Sequence, residues 1–304
     1  MTYKPAVIFI EKHKKNAGDH VFRIMMILPA LLMLAVFMFY PIFETFRLSL
    51  TNSSALGVSS YIGMKNYVYL LRNADFLAGL FHAFQWAFLK RRYPGPLAFF
   101  IAFACVTFKN PLVRWLRSVY YLGNVIPVAI VCMIALFILG PNSGALVTLA
   151  NTLGWKWLAG IDFIGNARNA FPTLFAVATW AYIGFGIVYF MSCIDQIPAE
   201  IIEAAMIDGT NKWQLIFHVI LPQAGYAIRI QALLAVVGSI RLFDLPWLIT
   251  VGGPGNSTTT LGIELYKQGF INWQYGRGAA IGVIIFLLSL GFTVLQFSVK
   301  TEDD

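Results

Sequence analysis

Charge is what this sequence has least of. Only 12% of its 304 residues are charged, 59% are hydrophobic, and the mean hydropathy is +0.71. Soluble domains carry about 25% charged residues, so this chain lacks the polar surface needed to cover a globule in water. The shortage argues against a soluble protein and for an exterior that faces lipid. Cysteine is scarce too. Cys105, Cys132 and Cys193 lie within or beside apolar segments with no CxxC spacing, which reads as packing rather than a disulfide or metal set. His13, His20, His82 and His218 are scattered over a tail, an interface and a loop. They give no His/Glu metal spacing and no nucleophile–base pair of the kind an intramembrane enzyme needs. A cleavable signal peptide is not expected either, because the first apolar run starts near Ile24 and is too long for a signal core.

What the chain does have is long apolar runs. Its length accommodates about six spans of roughly 20 residues with connecting loops. The net charge is +8, with the basic residues beside the apolar runs. That is the pattern of the positive-inside rule and not of a nucleic-acid surface. Residues 1–23 carry Lys4, Lys12, Lys14, Lys15 and Arg23 and form a cytoplasmic tail, 24–299 a transmembrane domain, and 300–304 a second cytoplasmic tail. Spans are predicted over 24–43, containing Pro29 and Pro41, then 119–139, 170–192, 226–251 and 278–299. Segment 109–117, with Lys109, Arg114 and Arg117, is cytoplasmic, while 50–75, 140–169 and 252–277 read as external loops. The stretch 76–108 resists placement, because Lys90-Arg91-Arg92 and then Pro94-Gly95-Pro96 interrupt it. Three charges at mid-bilayer cost several kcal/mol. The preferred reading is an interfacial helix followed by a short span from about Tyr93; the other is a long tilted span that buries the cations against water or protein.

The loop 194–223 is the most informative polar segment. Pro198 suits a first helical turn, and Glu200 and Glu203 favour the positive N-terminal end of a helix. Ile201, Ile202, Ala205 and Met206 form an apolar stripe at helical spacing, and Ala204 and Ala205 give a small side fit for close packing. Gly209 is a helix stop, Thr210 a cap for a second helix to about Ile220, and Pro222 a break before the next span. On residues alone this is either a connector or a helix that docks on a partner and transmits its movement.

Glu203-Ala204-Ala205, Asp208-Gly209 and Leu221-Pro222 resemble the EAA loop of binding-protein-dependent ABC transporter permeases. Phe243-Asp244, Gly252-Gly253-Pro254, Thr258-Thr259-Thr260-Leu261, Tyr275-Gly276 and Ala279-Ala280 are similar to the maltose/glycerol-phosphate branch of carbohydrate permeases, as is the N-terminal Leu28-Pro29 and Tyr40-Pro41. The resemblance implies an all-α polytopic helical bundle in the bacterial inner membrane. It implies that helix 199–209 docks on a cytoplasmic ATPase, with Glu203, Ala204, Ala205, Asp208 and Gly209 as coupling residues. The chain has no GxxxxGK[ST] loop, so ATP and Mg would sit on two partner ATPase subunits, with no cofactor on this chain. A second homologous permease would complete the pore. An external solute-binding protein would deliver cargo, with Gly252, Gly253 and Pro254 as its contact. Two features depart from the family pattern: Thr210 stands where a small residue, often Ala, is usual, and the second span normally lacks a Lys-Arg-Arg cluster.

Ionisable residues inside a span are functional candidates. Arg241 and Asp244 are three apart, so on one helix they share a face and could pair, which would fix the packing between helices. By resemblance, Gly238, Ser239, Arg241 and Leu242 lie on the solute path with Asp244 alongside, and Tyr182 and Phe185 offer rings for sugar stacking. Arginine presents a fork of donors matched to carboxylate or phosphate. It predicts an anionic solute, a uronate oligosaccharide or a sugar or glycerol phosphate. The alternative function is an ion-gradient-driven secondary transporter, which often shows paired repeats and broken helices in both halves. No internal repeat is evident, and that class has no use for an EAA loop.

Overall fold

The computed structural model describes residues 17–55, 57, 59–107, 119–141 and 144–298. The basic segment 109–117, Asn142 and most of both tails lie outside these residues. The chain divides into two packing units, residues 1–47 and 48–304. The first unit is helical: α1 (Ala17–Leu34), a π-helical turn (Ala35–Phe39) and the start of α2 (Tyr40–Ser49). Pro41 cannot donate to a carbonyl four residues back. The widened turn immediately before it, in which Tyr40 N–H bonds Ala35 O, shifts the ladder to accommodate that loss. Every side chain from 22 to 41 is exposed. An apolar helix exposed all round calls for lipid or another protein around it.

In the second unit the described residues are helical apart from turns and two isolated bridges. The helices are α3 (Lys65–Leu70), α4 (Ala74–Arg92), α5 (Pro94–Thr107), α6 (Val119–Val125) and α7 (Val128–Leu139). After α8 (Ala145–Thr152) and α9 (Lys156–Ala159) comes the long α10 (Ala167–Ile194), capped by the Asn166 side chain. Then follow α11 (Ala199–Ile207), α12 (Lys212–Gln214), α13 (Leu221–Gln223), α14 (Gly225–Ile240), α15 (Asp244–Thr250), α16 (Leu261–Tyr266) and α17 (Tyr275–Ser298). Further π-helical turns cover Leu215–Ile220 and Lys267–Ile271.

Among the described residues, three helices are long and apolar enough to cross a membrane: Phe22–Ser49, Ala167–Ile194 and Tyr275–Ser298. Two bent pairs, Val119–Val125 with Val128–Leu139 and Lys212–Gln223 with Gly225–Ile240, raise the number to five if each pair is one span; α4 and α5 are not among them. The bend of 107° in the first pair falls at Pro127, which caps α7. The sequence predicted an uninterrupted span there.

Three further features of the layout were not foreseen. First, α4 is packed within the protein. It buries Phe76, Ala83, Trp86 and Ala87 against α14, α16 and neighbouring elements, and the chain turns only at Tyr93 before α5. Alternating small and aromatic side chains on that face pay for burial that the terminal cations alone would discourage. Second, the predicted fifth span is two helices with a break at 241–243. Third, the loop 252–277 is half helical: Thr260 caps α16 by accepting from Ile263 N–H, and Leu261, Ile263 and Glu264 of α16 are buried.

Candidate functional site

The loop after α10 folds as its residues dictate. Pro198 caps α11 and Glu200 sits in its first turn. At the far end, Gly209 N–H bonds Met206 O at 3.1 Å and Thr210 N–H bonds Ala205 O at 3.2 Å. That pair of bonds is a Schellman stop, and it requires a left-handed residue at Gly209, whose φ is +78°. The Thr210 hydroxyl donates to Ala205 O at 2.6 Å, so it does not cap the next helix. Asn211 does so instead, in a reciprocal capping box with Gln214. The small side of α11 is also divided. Ala205 is buried in the chain's own core beside Ile202, while Glu203, Ala204, Met206, Ile207 and Asp208 are exposed. Ile207 is 85% exposed, and Trp213 and Phe217 stack alongside one another in the following segment, both exposed. Sequence reasoning passed over Ile207, Trp213 and Phe217 as an exposed apolar set; three large apolar residues in a polar loop were the available signal.

The second region lies at the break between α14 and α15. Arg241 is the C-terminal cap of α14 and Asp244 the first residue of α15, so they do not share a helix face. Both are exposed and no ion pair joins them, which overturns the expected pair. α15, which begins at Asp244, packs against α7 and α10, the helices that carry Cys132 and Tyr182. Tyr182 and Phe185 are each 41% exposed on α10, and Gly238 is exposed on α14. Two of the residues expected on the path are engaged within the fold. Ser239 is buried with its hydroxyl donating to Ala235 O at 2.6 Å, and Leu242 packs into the core with Trp86 and Leu245.

The structure adds one cation to this region. Lys90 of α4 places its ammonium 5.8 Å from the Trp86 ring centroid and 4.0 Å from where a side chain on Gly238 would begin. It is half-buried, and no carboxylate of a described residue pairs with it. Its place in a Lys-Arg-Arg cluster inside an apolar run was the signal available in the sequence.

The third region is the turn 251–260. Thr258 and Thr259 hydroxyls donate to Gly253 O (2.8 Å) and Gly252 O (3.1 Å). Asn256 donates to Asp75 at 2.6 Å, and His82 Nδ1 meets Thr259 O at 2.8 Å, fixing the turn against α4. Gly252 is buried under Thr259 and Ile263, so it shapes this turn from within; Gly253 and Pro254 are half-exposed. Among the described residues no three His, Cys, Asp or Glu side chains come together to hold a metal.

A model of the family described as "binding-protein-dependent transport system inner membrane component" matches residues 95–300. The sn-glycerol-3-phosphate transport system permease protein UgpA of Pectobacterium atrosepticum is 26% identical over 280 residues, spanning 90% of this chain and 91% of the relative. The probable starch degradation products transport system permease protein AmyD of Thermoanaerobacterium thermosulfurigenes is 28% identical over 270 residues, spanning 89% and 90%. Among solved structures, a chain of a bacterial alginate ABC transporter, in complex with an alginate pentasaccharide-bound periplasmic protein, superposes with a TM-score of 0.80 at 18% identity, covering 92% of this chain and 93% of that one. That last likeness concerns the fold.

Proposed function

This chain belongs to the binding-protein-dependent transport system inner membrane components, and from that premise we propose that it is the permease through which a carbohydrate-type solute is imported at the expense of ATP hydrolysed on partner subunits. It is an integral inner-membrane protein of an ABC importer. The observation that carries the coupling role is α11. Glu203, Ala204 and Asp208 stand exposed on a helix whose end is fixed at Gly209, beside exposed Ile207, Trp213 and Phe217. A charged and apolar surface on a rigidly ended helix suits a cleft of a cytoplasmic ATPase. Ala205 serves the same surface from behind by anchoring α11 to the core. ATP and Mg belong to two such ATPase subunits. A second, homologous permease would cover the exposed helix of residues 22–41 and complete the pathway, and the turn at Gly253-Pro254 is the contact for an external solute-binding protein.

UgpA is named for sn-glycerol 3-phosphate and AmyD for starch degradation products. One cargo is anionic and the other neutral. Arg241 in the break at 241–243 and Lys90 beside Gly238, neither paired with a carboxylate of a described residue, favour the anionic class.

Purification of the intact complex tests the coupling role. Glu203→Lys and Gly209→Pro should leave solute binding to the external protein intact and abolish solute-stimulated ATP hydrolysis. A chain that runs alone and transports without nucleotide would overturn the reading. For the solute class, Arg241→Ala should lose stimulation by an acidic sugar; wild-type stimulation in that variant removes the anionic assignment.

A further inference from the structure

Four aromatic side chains outside the predicted path form a continuous series. Phe243 and Trp247 stack with ring centroids 5.7 Å apart and planes at 17°. Trp247 meets Tyr266 edge-on at 4.9 Å, and Phe243 also touches Tyr266 at 5.6 Å. Tyr266 then stacks on Phe270 at 5.5 Å and 25°. Two helices build the series. Phe243 and Trp247 lie one turn apart at the start of α15, and Tyr266 and Phe270 one turn apart across the end of α16.

The series has two distinct ends. Its Phe270 end lies next to the segment that meets the external loop, where Ala55 N–H bonds Trp273 O at 3.2 Å. Its Phe243 end is the break between α14 and α15, where Gly262 comes so close that an added Cβ would stand 2.9 Å from Phe243 Cβ. The rings thus run from the stretches that the sequence assigns to the outer face to the charged residues of the break.

These rings are not an ordinary core cluster. Phe270 is 60% exposed, and Phe243, Trp247 and Tyr266 are half-buried. Nor do they suit a lipid-facing belt. Asp244 is exposed one helical turn from Trp247, and Arg241 is exposed just before Phe243. A carboxylate and a guanidinium with no ion-pair partner among the described residues are too costly to leave against acyl chains. A face that carries them is wet, and aromatic rings on a wet face inside a membrane protein are placed for a ligand with both apolar and hydroxylated surfaces. A pyranose ring has such surfaces: its C–H face packs on an aromatic face, and its hydroxyl rim takes hydrogen bonds from groups such as Asp244 and Arg241.

We propose that Phe243, Trp247, Tyr266 and Phe270 form a stacking track along which the rings of an oligosaccharide pass from the outer face to the break at 241–243. The track rests on the carbohydrate reading above. It differs from the Tyr182 and Phe185 surface, which lies on α10.

The test uses the intact importer in proteoliposomes with its solute-binding protein, and follows uptake of maltotriose, maltopentaose, trigalacturonate and glycerol 3-phosphate. Trp247→Leu and Tyr266→Leu should each slow uptake of whichever oligosaccharide the wild type carries by about fivefold, the worth of one aromatic contact. The loss should grow with chain length, Tyr266→Phe should restore uptake, and glycerol 3-phosphate, which has no ring, should be unaffected. Leucine variants that carry the oligosaccharide at the wild-type rate overturn the track. So does a loss traced to failed co-purification of the second permease, since the rings would then be a subunit contact. A wild-type complex that carries none of the sugars fails the carbohydrate reading first, and the track with it.

Discussion

Gly209 offers the cleanest perturbation of the coupling loop. Its φ of +78° is left-handed, and a Cβ added there would meet no atom within 4 Å. Alanine therefore brings no clash, and its cost is that of the backbone conformation alone, about 1–2 kcal/mol. Such a penalty lowers the population of the closed helix end by roughly five- to thirtyfold. Asparagine visits the left-handed region more readily and should cost less. Proline should cost most, because its fixed φ near −65° is incompatible with the turn and it deletes the N–H that bonds Met206 O. Solute-stimulated ATP hydrolysis by the intact complex should thus rank glycine above asparagine, asparagine above alanine, and alanine above proline. Co-purification with the ATPase is the control that separates loss of docking from loss of transmission. The reasoning is refuted if alanine matches glycine, or if proline is no worse than alanine.

Three other perturbations have defined expectations. Gly79 of α4 faces the Thr260 backbone so closely that an alanine Cβ would lie 2.9 Å from its carbonyl carbon; Gly79→Ala should destabilise the complex by about 1–3 kcal/mol, read as a lowered Tm in detergent. Asn66 is buried and donates to both Ser49 O and Thr51 O at 2.8 Å. Asn66→Ala leaves those carbonyls without their amide and should cost about 1–3 kcal/mol, again as a Tm shift; an unchanged Tm would show that water replaces the amide. Lys90→Gln should cut uptake of an anionic solute about tenfold, the worth of a charge-assisted hydrogen bond, and spare a neutral one. Equal loss for both solutes would assign Lys90 to packing on Trp86.

Much of this architecture was legible because lipid imposes length. The run 170–192 became a helix over Ala167–Ile194, and the helix expected from 199 ended within two residues of Gly209, where proline, acids and glycine act as local signals. Other features depended on partners distant in sequence. The register of α4 is set by Phe76, Ala83 and Trp86 fitting against α14, α16 and α10. Nothing near Lys90 announces that its ammonium turns to Gly238. The aromatic series is likewise invisible in one dimension, because Trp247 and Tyr266 meet only when α15 and α16 fold against each other.

The break at 241–243 is the most instructive miss. The run 226–251 has no glycine or proline at those positions, so it reads as one span, and Arg241 and Asp244 then read as a pair on one face. Their helix positions carry the opposite message. A basic residue is favoured at a helix C-terminus and an acid in a first turn, and Arg241 caps the end of α14 while Asp244 begins α15. Pro246, two residues further on, suits the opening turn of a new helix better than the middle of an old one. Each charge therefore finds compensation in the dipole of its own helix end and needs no salt bridge with the other. That arrangement leaves both side chains exposed, where a pair would have neutralised them, and so available to the polar solute proposed above.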